Sequence, residues 1–234
     1  MDYKETFSVQ KVSFFLAYIK KKLYLCSRFE NKMSQDQKQH IIKTAGEMFF
    51  RLGIRSVSID DICREIGISK KTFYVYFASK DELVEQLLQA NIDYMASKME
   101  SLLKTGDFKQ LVAKFIKHQE AEKNDVRRVP QLVYDLKKYY PRQFAQFQVN
   151  CFETQKEYIR RYLEMGQQAG LVRANLNIEL IAVLFAKIHN DAIRDFEEIE
   201  GHGHNMHQLG HTAMDVFVRG VLSDEGLKLF NEKQ

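Results

Sequence analysis

The chain has 234 residues, 45% of them hydrophobic and 28% charged, with 11 Gly, 2 Pro and no Trp, a balance that excludes a disordered chain and favours long helices. Its three cysteines, Cys26, Cys63 and Cys151, are far apart, so neither a disulfide framework nor a zinc spacing is legible and a reducing cytoplasm is the expected compartment. The net charge of +4 is unevenly placed: residues 1–33 hold seven Lys/Arg against three Asp/Glu, residues 34–80 eight against five, and residues 81–234 twenty against twenty-three, which points to a polyanion partner for the first third.

Residues 1–33 read as an N-terminal extension outside the native core or as a loosely docked helix, with Met33 opening the domain that follows. "VSFFLAYI" (12–19) is apolar but short, and Lys20-Lys21-Lys22 follow it rather than precede it, which is a poor signal peptide. No apolar run approaches the ~18 residues of a membrane span, so no membrane partner is expected. From Gln37 a helical stripe appears: Ile41, Ile42, Ala45, Met48, Phe49 and Leu52, stopped by Gly53. Ser58 then caps a short helix, with Asp61 three residues on as a capping-box partner, and Ile59, Ile62, Cys63 and Ile66 form its inner side. Gly67 breaks the chain, Ser69 caps a helix over 70–77, and Ser79 opens a long one over 80–103. Further helices are expected over 108–122, 126–139, 142–169, 178–199 and 205–222, with Gly170 as a stop.

Two short helices joined by "IGIS" make a helix-turn-helix pattern. Ile68, Phe73 and Phe77 supply the inner side of the second helix. Lys70, Lys71, Thr72, Tyr74 and Tyr76 supply tips suited to a major groove about 12 Å wide. Lysines and tyrosine hydroxyls meet phosphates or base edges, and aromatic rings or the Thr methyl meet thymine methyls. Lys80 falls in the first turn of the next helix, where free N–H groups favour a phosphate.

The stretch "AGEMFFRLGIRSVSIDDICREIGISKKTFYVYFASKDEL" resembles the N-terminal signature of the TetR family of bacterial transcriptional regulators. The matching pieces are the helix end at 49–53, Ser58 before "IDDI", "GISKKTFY", Phe77 and "SKDEL", within residues 38–85. The resemblance implies an all-α protein: a three-helix DNA-binding head (34–80) followed by a larger helical ligand-binding and dimerising body (81–234). By position it implies DNA contacts at Ser58, Lys70, Lys71, Thr72, Tyr74, Tyr76 and Lys80. The chain departs from the family where it carries Asp60, since a basic residue is frequent there; Arg55 is placed to compensate for that acid.

In the body, Ile181, Leu184, Phe185, Ile188, Ala192, Phe196 and Ile199 form one apolar stripe. Met206, Leu209, Ala213, Met214, Phe217, Val221 and Leu222 form another. Alone, such stripes are more often intrachain core than interface; the resemblance reverses that and makes them a homodimer interface through the two C-terminal helices. A symmetric dimer suits a near-palindromic double-stranded operator with half-sites roughly 34–36 Å apart. His118, Tyr134, Phe147, Cys151, Phe152, Phe185 and His189 interrupt apolar faces and are the candidate pocket for a hydrophobic or amphipathic small-molecule effector, with no cofactor expected. "GHGHNMHQLGH" (201–211) places His207 and His211 at i, i+4, a weak metal candidate with His202, His204 and Glu200 nearby. Neither a nucleophile–His array nor a phosphate-cradling glycine loop is legible, so an enzyme is not expected. The expectation is a ligand-released repressor. The alternative is a helical interaction or metal-sensing protein whose head no longer reads DNA, a reading that rests on Asp60.

Overall fold

The computed structural model describes residues 33–104, 108, 129–195, 201 and 206–231. Within them lie α1 (Met33–Leu52), α2 (Ile59–Ile66), α3 (Lys70–Tyr76), α4 (Lys80–Leu103), α5 (Val129–Tyr139), α6 (Pro141–Gln168), α7 (Ile178–Arg194), α8 (Met206–Val221) and α9 (Asp224–Asn231). The fold is all-α: among the described residues the β geometry is one isolated antiparallel bridge, Val172 to Leu222. The expected extension over 1–32 and helix over 108–122 lie outside the described residues, Phe108 excepted.

Two compact units emerge, each with its own core. The head unit holds residues 33–94 and 129–149 of the described set. It therefore extends past the expected boundary at residue 80 and takes in a later segment. The reason is packing: Leu132, Val133, Asp135 and Leu136 of α5 are buried, and α5 contacts α1. The centre of the head is Ile41, Ala45, Phe49, Ile54, Val57, Ile62, Phe73, Phe77, Leu83 and Val84, all at or near zero exposure. Burying each large side chain contributes about 1.5–3 kcal/mol. Leu52, expected in the α1 stripe, is half exposed, and Phe50 is buried instead.

Each expected cap is formed. Asp61 N–H donates to Ser58 Oγ at 3.1 Å, and Asp61 Oδ2 accepts from Ser58 N–H at 2.9 Å, a complete capping box. These Ser58 hydrogen bonds, side chain first, hold the Asp61 carboxyl below the usual carboxylate range. Gly67 ends α2 at φ 79°, a left-handed conformation that side chains with a Cβ disfavour. Ser69 Oγ accepts from Thr72 N–H at 3.0 Å, and Ser79 Oγ from Glu82 N–H at 3.1 Å.

The body unit holds residues 95–104, 108, 150–195, 201 and 206–231 of the described set. Leu163, Val172, Val221, Leu222 and Phe230 are its buried cluster, with Phe217 and Ile181 against it. Arg161 holds Glu100 through two hydrogen bonds (2.7 and 3.3 Å), and the Tyr162 hydroxyl donates to Met99 O at 3.0 Å, which fixes the end of α4 on α6. Helix α9 lies beyond the expected elements, so α7 and α8 are not the last two helices. Its Gly226 sits against Leu171, where a Cβ would come within 2.2 Å of the carbonyl oxygen. Ser223 adds N–H to Leu171 O (3.0 Å) and Oγ to Gly170 O (2.8 Å).

Candidate nucleic-acid interface

Helix α3 is anchored by Phe73 and Phe77, whose rings lie 5.5 Å apart in the head core. At 100° per residue, Lys70, Lys71, Tyr74 and Val75 then share the outward arc, and all four are exposed. Tyr74 is 52% and Val75 74% exposed. Thr72 and Tyr76 stand on the flank, half-buried, and the Thr72 hydroxyl shares a 2.9 Å hydrogen bond with Ser69 Oγ. The expected single face is thus two: an outward one with both lysines, and a flank with Thr72 and Tyr76.

Val75 went unmarked in the sequence because an apolar residue inside "TFYVYF" reads as core. Its position two residues after Phe73, on the opposite side of a 3.6-residue turn, is the signal that would have found it.

Asp60 is paired with Lys70 at 2.8 Å, both side chains more than half exposed. The acid that departs from the family pattern therefore has a cation from α3 beside it. As a surface pair it contributes little stability, but it orients Lys70.

Two expected contacts have other tasks. Lys80 is half-buried, with its ammonium on Ile54 O at 2.5 Å and 5.5 Å from the Phe49 ring centroid. Burial lowers its pKa, an effect Asp135 partly offsets. The Arg55 guanidinium donates to the Tyr139 hydroxyl at 2.8 Å and lies 5.2 Å from that ring's centroid. Ser58 is exposed at the start of α2, its hydroxyl already engaged by Asp61.

The pocket candidates are not one group. Tyr134 and Phe147 belong to the head unit; Cys151, Phe152, Phe185 and His189 belong to the body unit. Tyr134 is exposed and accepts from Lys138 Nζ at 2.7 Å, a surface position. Phe147 and Cys151 are buried, and burial pushes the Cys151 thiol up to about 12. Phe152 is half-buried under Lys156. Phe185 stacks on Phe217 at 3.8 Å, so both are committed to joining α7 to α8 within the chain. Burial pushes His189 down to about 4. His118, His202 and His204 lie outside the described residues, as do the side chains of His207 and His211 on α8. Among the described residues no three His, Cys, Asp or Glu are grouped as a metal site.

The outward stripe of α7 is Leu180, Leu184 and Ile188, spaced four apart and 64%, 54% and 43% exposed; Val216 of α8 is 66% exposed. Ala182 and Ala186 face inward at 0%. Val221 and Leu222 are buried inside the chain, and the half-buried Phe185 and Phe217 stack on each other.

A capped helix-turn-helix on a helical body defines the class. Residues 41–87 match the family model "Bacterial regulatory proteins, tetR family". It is 33% identical over 73 residues to the uncharacterized HTH-type transcriptional regulator YuxN of Bacillus subtilis, covering 31% of this chain and 25% of the relative. The match thus spans about a quarter of that relative's length. The HTH-type transcriptional repressor KstR2 of Mycolicibacterium smegmatis is 21% identical over 198 residues, 82% of this chain and 94% of its own. A crystal structure of a transcriptional regulator from Saccharomonospora viridis in complex with choline superposes with a TM-score of 0.55 at 16% identity, over 81% of this chain and 99% of that one. No described helix is long and apolar enough to cross a membrane.

Proposed function

We propose that the chain is a DNA-binding transcriptional regulator of the repressor type, working in the cytoplasm as a homodimer and released from its operator by a small molecule. The observation that carries this reading is the outward face of α3: Lys70, Lys71, Tyr74 and Val75 exposed on a helix anchored by Phe73 and Phe77. Lys71 meets a phosphate or guanine edge, Lys70 does so from its Asp60-oriented position, and Tyr74 and Val75 meet thymine methyls. Ser58, Thr72 and Tyr76 border that face and complete the phosphate contacts.

The dimer rests on the exposed stripe Leu180, Leu184, Ile188 with Val216. Four large apolar side chains left exposed on two adjoining helices support a surface covered by a second copy. The repressor assignment draws on KstR2, and the small-molecule release on the choline complex of the S. viridis protein. A ligand weakens DNA binding only by favouring a conformation that binds DNA less well.

The test is a salt-titrated DNA-binding assay. The probe is the tightest duplex the chain selects from a pool with a ~30-base-pair random core, long enough for two half-sites one turn apart. Lys71→Ala is expected to weaken binding and to lower the slope of log affinity on log salt by about one. Failure of the wild-type chain to enrich any duplex would reject this function.

A further inference from the structure

The peptide group between Ile54 and Arg55 is held at both ends by charged side chains from outside the helix-turn-helix. Its carbonyl oxygen accepts from the Lys80 ammonium of α4. Its N–H donates to Oδ2 of Asp135 at 3.1 Å, a residue eighty positions further on in α5. Asp135 is 2% exposed, and its Oδ1 accepts from Gln131 Nε2 at 2.9 Å. Room for the carboxylate is made by Gly53: its φ of +84° already favours glycine, and a Cβ there would lie 3.0 Å from Asp135 Oδ2. Tyr139, one turn beyond Asp135, takes the Arg55 guanidinium.

This peptide lies in the turn between α1 and α2. Ile54 and Val57 on either side are 1% exposed, and Ser58 opens α2 directly afterwards. The turn thus sets the direction in which α2, and α3 packed on it, leave α1. Charge-assisted hydrogen bonds are about twice as strong as neutral ones. A buried carboxylate or ammonium left without its partner is costly, so each end of the clamp enforces the other.

We propose that Lys80 and Asp135 are positioning residues of the DNA-reading head, acting on operator affinity through the Ile54–Arg55 peptide and not by touching DNA. The reading unit is then discontinuous, residues 33–94 completed by α5. The inference rests on the DNA-binding function above. It assigns Lys80 differently from a phosphate contact, and the two roles have different salt signatures. Losing a phosphate contact lowers the salt slope by about one; losing a positioning residue lowers affinity at every salt concentration with the slope kept.

The experiment uses the full chain and the selected duplex. Lys80→Met and Asp135→Asn are each expected to weaken binding about tenfold. The slope should stay unchanged, and hydrogen exchange at the Arg55 amide should speed up. A slope lowered by about one in Lys80→Met puts Lys80 on a phosphate and overturns the proposal. So does wild-type affinity in both variants. Should Lys80→Met not fold, Asp135→Asn decides alone, since it keeps an acceptor oxygen and the side-chain shape: unchanged affinity with unchanged Arg55 exchange rejects the clamp. If the wild-type chain selects no duplex, the DNA-binding function fails separately, and Arg55 exchange in Asp135→Asn still reports on the clamp.

Discussion

The head and the body solve opposite problems. In the head, short helices have few residues with which to bury surface, so nearly every turn is closed by a side chain: Ser58 with Asp61, Ser69 with Thr72, Ser79 with Glu82, and Lys80 and Asp135 on one peptide. In the body, α7 is long and regular and leaves a row of leucine and isoleucine facing outward. A short helix cannot stand on propensity alone and needs caps and an anchor. A long helix tolerates an apolar surface that a second copy is free to cover. The head is therefore closed by polar contacts, whereas the body leaves apolar side chains exposed.

The largest expected effect breaks the body. Replacing both Leu184 and Ile188 by Glu sets charges in the exposed stripe and should give monomers by light scattering. Affinity for a duplex with two half-sites should fall about 100-fold or more as the two-headed attachment is lost. A dimer that persists in this variant moves the interface elsewhere. Next in size is Phe73→Ala, which empties the anchor of α3 and should lower stability by about 3–5 kcal/mol in urea unfolding. A loss under about 1 kcal/mol would mean that α3 is held by its caps and not by its core.

A third test concerns His189. Its folded-state pKa, near 4, lies below the ordinary 6.5, so the unfolded chain binds the proton more readily between these values. Its contribution to stability is complete above pH 6.5 and is lost as pH falls toward 4. Unfolding free energy should drop by about 2 kcal/mol from pH 7 to pH 5, and His189→Gln should remove most of that drop. Parallel pH profiles for the two proteins would show the imidazole to be solvated. The smallest effect sharpens the head: Ser58→Ala should cost about 1 kcal/mol by removing the capping box of α2. An unchanged midpoint would make the box dispensable.

The head was legible because its signals are local. Caps lie three residues from the N–H groups they satisfy, and the stops at Gly53 and Gly67 are read from single residues with positive φ. The three-way sharing of Lys80, Asp135 and the Ile54–Arg55 peptide was not legible, because its partners stand 26 and 80 positions apart and no short pattern joins them. The same holds for Arg55, which the sequence offers as a free cation and the fold lays against Tyr139. In the body, helical period gave the apolar residues of α7 and α8 but not which neighbour each one meets. Phe185 and Leu184 are adjacent in sequence, yet one stacks on Phe217 and the other faces outward. Helix α9 was not legible because "DEGLKLFN" is only eight residues long with a glycine inside it, too short for a helical period to show.

That glycine has a genetic consequence. Gly226 lies against the Leu171 carbonyl, and Ser223 holds the same loop, so α9 is pinned to residues more than fifty positions earlier. A nonsense codon anywhere between 223 and 230 would spare every residue of the helix-turn-helix yet expose the cluster around Val172 and Leu222. Such truncations would be scored as loss of function for want of folded protein, and codons 223–230 are no safer to cut than those of α3.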